Sequence, residues 1–243
     1  MKIRTVLLSM TALLPLASAP FAAEMEEMEE MGKGAAQGTQ MAMATSDMQP
    51  ARYRVSFDRT WSSDTHPADF PLLAHFSPVI GVTHRASYDL FAEGAVATPG
   101  LEKLCEEGKH QPLDGEIRAA IARGDAGALI ETSDPIRDVP ASATSEFEVD
   151  AAHGWVSIAA MIAPSPDWCA VAADVSLLEN GRFVDQKSVE LVAWDAGTDA
   201  ATSYRALDAD MQPRGPVQPS DSKYFVAGGH SKPVGRVTFT RVR

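Results

Sequence analysis

Hydrophobic and polar residues alternate at the start of the globular part of the chain. Tyr53, Val55 and Phe57 are separated by charged or polar residues, and this period of two predicts a strand with one buried face. Asn180-Gly181 stands between two later apolar runs and is typical of a two-residue hairpin turn. The apolar runs of the second half cover residues 146–150, 155–163, 169–178, 182–194, 223–229 and 236–243. Together they predict a series of antiparallel strands.

Two segments between these strands have helical patterns. They cover residues 99–108 and 113–123, and Gly108 and Gly124 stand where the helices should end. Residues 125–145 are rich in Asp, Gly, Pro, Ser and Thr, and they predict an irregular loop. Closely spaced strands with two short helices predict an all-β fold, an antiparallel two-sheet sandwich.

The N-terminal part of the chain predicts export. A short basic stretch, an apolar run over residues 6–17 and then small residues indicate a signal peptide over residues 1–23. The apolar run is shorter than the ~20 residues that span a bilayer, so no transmembrane segment is predicted. Residues 24–49 are rich in Glu and Met and predict a disordered acidic linker. The domain is assigned to residues 50–243, in the periplasm or secreted to the extracellular space.

Composition and motifs limit the function. The net charge is −12 and the basic residues are scattered, which argues against nucleic-acid binding. The chain has no G-x-S-x-G, no H-E-x-x-H and no G-x-x-x-x-G-K-[ST] motif. We therefore predict a protein that is not an enzyme.

Three aspartates form the most informative pattern. Asp167 follows Pro164-Ser165-Pro166, and Asp195 and Asp199 flank the flexible Gly197. A hairpin turning at Asn180-Gly181 would bring Asp167 beside Asp195. At ~4 Å and an effective dielectric constant near 20, each pair of carboxylates repels by about 4 kcal/mol, so the cluster must take up protons or a cation. Oxygen ligands alone select Ca²⁺ or Mg²⁺, and a loop site favours calcium. The alternative is that the aspartates only cap turns.

Five motifs carry a family resemblance. They are HFSPVIGVTH at 75–84, EG at 93–94, LCEEG at 104–108, MIAPSPDW at 161–168 and WDAGTD at 194–199. With these motifs the chain resembles the spondin domain family over about residues 53–243, as a stand-alone member of the kind found in bacteria. The resemblance implies an eight-stranded antiparallel sandwich similar to calcium-dependent lipid-binding modules. It also implies one calcium ion held by Asp167, Asp195 and Asp199.

The chain has two cysteines, Cys105 and Cys169. Two cysteines in an exported protein most often pair, so a disulfide is predicted, and two buried free thiols are the alternative. The family more often has alanine and phenylalanine at these positions, and the joint appearance of two cysteines favours the bond.

These patterns predict an exported calcium-binding module that mediates binding or adhesion to a cell-surface glycan, lipid or protein partner. Two alternatives stay open. The first is a metal-dependent enzyme that uses the aspartate cluster and a metal-bound water. The second is a periplasmic copper-binding protein, because thioether sulfurs at short spacing can hold Cu(I). Its ligands would be Met25, Met28, Met31, Met41 and Met43.

Overall fold

The structure is a computed structural model and describes residues 48–242. The predicted signal peptide lies outside the described residues. So do nearly all of the predicted linker and the five methionines of the copper hypothesis. Met48, the first described residue, packs partly buried against the hydrophobic core. None of the helices in this part of the chain has the length and apolarity needed to cross a membrane.

Strands dominate the described chain, which confirms the predicted all-β fold. The two helices are α1 (Pro99–Glu107) and α2 (Leu113–Arg123). The strands are β1 (Ala51–Arg59), β2 (His75–Phe76), β3 (Ile80–His84), β4 (Ala126–Glu131), β5 (Ala141–Val149), β6 (Trp155–Ala163), β7 (Trp168–Ser176), β8 (Leu178–Glu179), β9 (Arg182–Phe183), β10 (Gln186–Asp195), β11 (Gln218–Pro219), β12 (Val226–Ala227), β13 (His230–Ser231) and β14 (Gly235–Val242).

Eight strands follow one another in an antiparallel sheet, in the order β4-β3-β6-β7-β10-β14-β1-β5, and β2 and β11 join the same sheet by pairing with β6 and β10. Strand β10 connects the two halves of this order. It pairs with β14 from Gln186 to Leu191 and with β7 from Val192 to Asp195. The sheet therefore has ten strands, two more than the eight predicted. The predicted separation into two sheets is not confirmed, because β10 is long enough to bond to both halves.

Two hydrophobic clusters explain why β6 is apolar along nearly its whole length. Val156, Ile158 and Ile162 belong to a first cluster with residues of β1, β5 and β14. Ala159 belongs to a second cluster, with Leu104 of α1 and other side chains of both helices. Strand β6 is therefore buried on both faces and lies between the other half of the sheet and the helices.

Both helices form where the sequence predicts them. The Thr98 side chain accepts a hydrogen bond from the backbone N–H of Leu101 and caps the start of α1. Gly108 and Gly124 end the helices in the left-handed conformation, with φ of 66° and 79°.

The loop predicted over residues 125–145 is wrong in part, because it contains β4 and the start of β5. Strand β4 has the sequence AGALIE, and its small residues do not give the apolar pattern that predicts a strand. The structure shows why one of them is small. A Cβ at Gly127 would lie 2.7 Å from the Thr83 hydroxyl oxygen on β3, so only glycine permits this approach.

Candidate metal-binding site

Two turns at one edge of the sheet carry the three aspartates. Asp167 lies between β6 and β7, and Asp195 is the last residue of β10. Strands β7 and β10 are antiparallel, with Asp195 opposite Trp168. The hairpin turn between them is formed by Asn180 and Gly181, with φ of 51° and 71°. The sequence-based prediction that this turn brings Asp167 beside Asp195 is confirmed.

The Asp167 side chain is fully buried and only half satisfied. Its Oδ2 accepts hydrogen bonds from the backbone N–H groups of Thr198, at 2.8 Å, and Asp199, at 3.2 Å. Its Oδ1 is buried and has no hydrogen-bond partner among the described residues. An unsatisfied buried oxygen of this kind costs about 1–3 kcal/mol, and more when it is charged. Asp167 therefore holds the 195–199 turn with one oxygen and leaves the other without a donor.

Asp195 and Asp199 each cap the backbone of their own turn. Asp195 Oδ1 accepts a hydrogen bond from the N–H of Gly197 at 2.8 Å, and Asp199 Oδ1 accepts one from the N–H of Ala201 at 2.7 Å. Asp195 Oδ2 also lies 3.3 Å from the indole Nε1 of Trp168, which donates to it. The bonds to Gly197 and Ala201 are the turn caps that the alternative interpretation predicted. Both oxygens of Asp195 therefore have a donor, and Asp199 Oδ1 has one.

Burial and charge raise the pKa of two of the aspartates. Burial is the larger cause for Asp167, the Asp195 charge adds to it, and the pKa rises from 3.8 to about 6. Burial also raises the pKa of Asp195, with a further contribution from the charges of Asp221 and Asp199. The three carboxylates therefore lie close enough to repel one another, as the sequence predicted.

Gly197 is the residue that allows this turn to form. It has a φ of 69°, and a Cβ at this position would lie 2.6 Å from the backbone carbonyl carbon and oxygen of Gly215. The N–H of Gly215 donates to the Gly197 carbonyl at 2.8 Å, which fixes the neighbouring loop against the turn. Glycine is required here both for the left-handed backbone and for the close contact.

A disulfide ties α1 to the strand that follows Asp167. Cys105 and Cys169 are bonded, with their Cα atoms 5.2 Å apart, which confirms the predicted pair. Cys169 is two residues after Asp167, and Glu106 follows Cys105. Burial raises the pKa of Glu106, and the Thr198 hydroxyl is the main opposing contact.

Two acidic residues near the site were missed in the sequence. Asp221 follows β11, whose pairing with the end of β10 brings its charge near Asp195. Glu106 approaches from α1, where its sequence context suggests only an exposed helix end. No local signal identifies either residue, because each is brought in by an element distant in the sequence.

The donor set is suited to a hard cation, although the side chains are not arranged around one. Between residues 48 and 242, no group of three or more His, Cys, Asp and Glu side chains has the arrangement of a metal site. A cation would need Asp195 and Asp199 to turn an oxygen from their caps toward Asp167 Oδ1. Mutual repulsion accounts for carboxylates that face their own turns instead.

His84 and the hydroxyl of Ser157 beside it are structural. His84 Nε2 lies 2.9 Å from Ser157 Oγ, and Ser157 Oγ lies 3.2 Å from Asp174 Oδ1. His84 and Ser157 are 1 % and 0 % exposed, so a substrate has no access to the hydroxyl. The cluster bonds β3 to β6 and β7.

Known proteins give the same assignment as the motifs. The sequence pattern of the Spondin_N family matches residues 51–228, about three quarters of the chain. The chain belongs to the Spondin_N family. It is 31% identical to Spondin-1 of Gallus gallus and 32% identical to Spondin-1 of Homo sapiens, in each case over 205 residues. It is 28% identical to Spondin-2 of Rattus norvegicus over 205 residues.

This Spondin_N chain corresponds to part of those relatives. Each match covers 79% of this chain, 25% of either Spondin-1 and 62% of Spondin-2. All three aspartates and both cysteines lie within the region that the Spondin_N pattern matches.

Proposed function

We propose that the domain binds one calcium ion through Asp167, Asp195 and Asp199, and that it acts as an exported, non-enzymatic binding module. One observation carries the proposal: the buried Asp167 has an oxygen without a donor while two further carboxylates raise the repulsion around it. A cation is the partner that would satisfy this oxygen and remove the repulsion together. The resemblance to the spondin domain family supports the same three ligands.

Calcium fits this donor set better than a transition metal does. The side-chain ligands are carboxylates, and neither histidine nor thiolate stands among the three. Backbone carbonyls of the turns and water would complete about seven oxygen ligands. When bound, the ion supplies the positive charge that the described residues lack at this point.

An enzymatic use of the same cluster has less support. The cavity that borders Asp195 has a volume of about 10 Å³ and is lined by apolar side chains and the disulfide. Neither Asp167 nor Asp199 borders this cavity, which is about the size of one water molecule, so it gives no room for an organic substrate beside the cluster. We therefore propose that the ion stabilises a surface for a cell-surface glycan, lipid or protein partner, in the periplasm or outside the cell.

Isothermal titration and thermal unfolding of the chelated protein test the proposal. Millimolar calcium should give binding heat and should raise the free energy of unfolding by about 2.7 kcal/mol at a hundred times the dissociation constant. Asp195→Asn combined with Asp199→Asn should abolish both effects. Glu148→Gln removes one exposed charge on β5 and should leave both unchanged. Wild-type protein that shows neither heat nor stabilisation would leave the aspartates as turn caps.

The partner is tested separately. Purified domain is applied to arrays of glycans and of lipid vesicles, with calcium and with chelator, and the wild type is compared with the double variant. Binding that depends on calcium and on both aspartates supports the module. Equal binding by the two proteins under both conditions would show that the partner surface does not depend on the metal site.

A further inference from the structure

Strand β5 is the last strand at one end of the sheet, and its outer edge pairs with no other strand of the described chain. Its inner edge pairs with β1 without a break, from Ala51 opposite Val149 to Arg59 opposite Ala141. In an antiparallel pair, alternate residues direct their N–H and C=O groups away from the partner. The regular pairing of β5 therefore gives its outer edge a regular row of backbone donors and acceptors.

The first half of this edge lacks the features that usually prevent strand addition. Edge strands are commonly blocked by proline, lysine, a bulge or a charge. Residues 141–145 read Ala-Ser-Ala-Thr-Ser, and the register with β1 contains no bulge. Ser142 and Thr144 are exposed on this strand, and Ala141, Ala143 and Ser145 are partly exposed.

A large groove opens along this half of the edge. It has a volume of about 830 Å³ and is lined by residues 141–144 on one side and residues 131–138 on the other, with His110 at its border. We call it the β5 groove. Its volume is in the range of pockets that hold organic ligands, and its shape follows a strand edge.

The wall opposite β5 is fixed by hydrogen bonds. The backbone of Ile136 exchanges bonds with Phe76, at 3.0 and 2.9 Å. The buried guanidinium of Arg59 donates to the carbonyls of Ile136 and Arg137 and lies 5.3 Å from the ring centre of Trp61. Arg59 is only 3 % exposed, and its hydrogen bonds stabilise this wall. A preformed wall reduces the entropy lost when a ligand binds.

The same wall is acidic. Glu131, Asp134 and Asp138 are exposed there, and Arg137 is the basic residue among them. Glu131 contacts His110 at 3.0 Å and is partly compensated by Arg118 at 3.8 Å, and the charge of Asp138 acts on the buried Arg59. Asp134 contacts only the Ser133 hydroxyl, at 3.4 Å, among the charged and polar side chains of the described residues. A ligand that enters between β5 and this wall gains from carrying positive charge.

We propose that the β5 groove binds an extended, basic peptide segment by strand addition to residues 141–144. Backbone hydrogen bonds to the β5 edge supply the affinity, and the acidic wall selects lysine or arginine in the peptide. This site does not involve the aspartates of the metal site, so it should operate with or without calcium.

The test uses the full domain and a blocked six-residue peptide of alternating valine and threonine with one central lysine. Two further versions carry backbone N-methyl groups, one on the odd and one on the even residues. Strand addition uses one edge of the peptide, so one version should bind at least tenfold more weakly and the other should bind like the parent. NMR shifts should concentrate at residues 141–145, both in calcium and in chelator. Equal binding by both methylated versions, or shifts elsewhere, would overturn the proposal.

The acidic wall is tested with a charge-matched pair of variants. Asp134→Asn with Asp138→Asn should weaken the peptide several-fold and should reduce the dependence of binding on salt. Asp64→Asn with Glu93→Gln removes two exposed charges elsewhere and should change neither. A peptide with norleucine in place of lysine should bind the wild type and the variant Asp134→Asn with Asp138→Asn with equal affinity. If sedimentation shows a dimer that the peptide dissociates, the occupant is a second copy of the chain and the proposed ligand is wrong.

Discussion

Asp167→Asn should change the stability of the domain in opposite directions with and without calcium. The asparagine oxygen can still accept the N–H groups of Thr198 and Asp199, so the turn keeps its hydrogen bonds. The buried charge is removed, which should stabilise the chelated protein at neutral pH. The same substitution removes a proposed ligand, so the variant should lose the stabilisation that calcium gives to the wild type.

The magnitude follows from the raised pKa. Folding raises the pKa of Asp167 from 3.8 to about 6, so the folded state holds its proton to a higher pH than the unfolded state does. The free energy of unfolding of the chelated wild type should therefore fall as the pH rises from about 4 to about 6, and this loss should be constant above that window. Each pKa unit corresponds to about 1.4 kcal/mol, which gives a loss of roughly 3 kcal/mol for this fully buried group.

The assay is urea unfolding in chelator at intervals between pH 4 and pH 7.5, followed by tryptophan fluorescence. The quantity to plot is the free energy of unfolding of Asp167→Asn minus that of the wild type, because the titration of groups that do not interact with Asp167 cancels. This difference should increase by roughly 3 kcal/mol across the window. Glu148→Gln should give a difference that is nearly independent of pH. A flat curve for Asp167→Asn, or one that falls with pH, would refute the reasoning.

Three further predictions concern the same region. Calcium affinity should fall about tenfold per pH unit below pH ~6, measured by titration calorimetry, because a proton on Asp167 competes with the ion. Replacing Cys105 and Cys169 by alanine should lower the free energy of unfolding by roughly 4 kcal/mol, and a reductant should then have no further effect. Gly181→Ala, at an open position, should cost about 1 kcal/mol in urea unfolding. Gly197→Ala should cost at least about 2 kcal/mol more and should abolish calcium heat, because its Cβ meets the Gly215 backbone.

The sequence predicted those parts of the site that depend on local turns. Asn180-Gly181 sets the hairpin, and the hairpin register places Asp195 next to Trp168. Contacts between elements that are distant in the sequence could not be predicted from local turns. The charge of Asp221 and the carboxylate of Glu106 reach the site through the packing of β11 and α1, and no pattern in the sequence encodes that packing.

The fold, like the site, was predicted where local patterns determine it and was not predicted where distant elements meet. Helix ends and most strands follow from periodicity and from Gly108 and Gly124. Strand β4 was missed because Gly127 interrupts its apolar pattern, and glycine is required there because Thr83 on β3 approaches the backbone. The connection between the two halves of the sheet was not predicted either, since nothing in the apolar run of β10 indicates a change of partner after Leu191.

The change of partner along β10 has a consequence for cooperativity. One strand contributes hydrogen bonds to both halves of the sheet, and its last residue carries a proposed calcium ligand. Neither half can detach without breaking β10, so the two should melt in one transition rather than in succession. An ion bound at the end of β10 should therefore slow amide hydrogen exchange in β1 and β14, which it does not touch, as much as in β7.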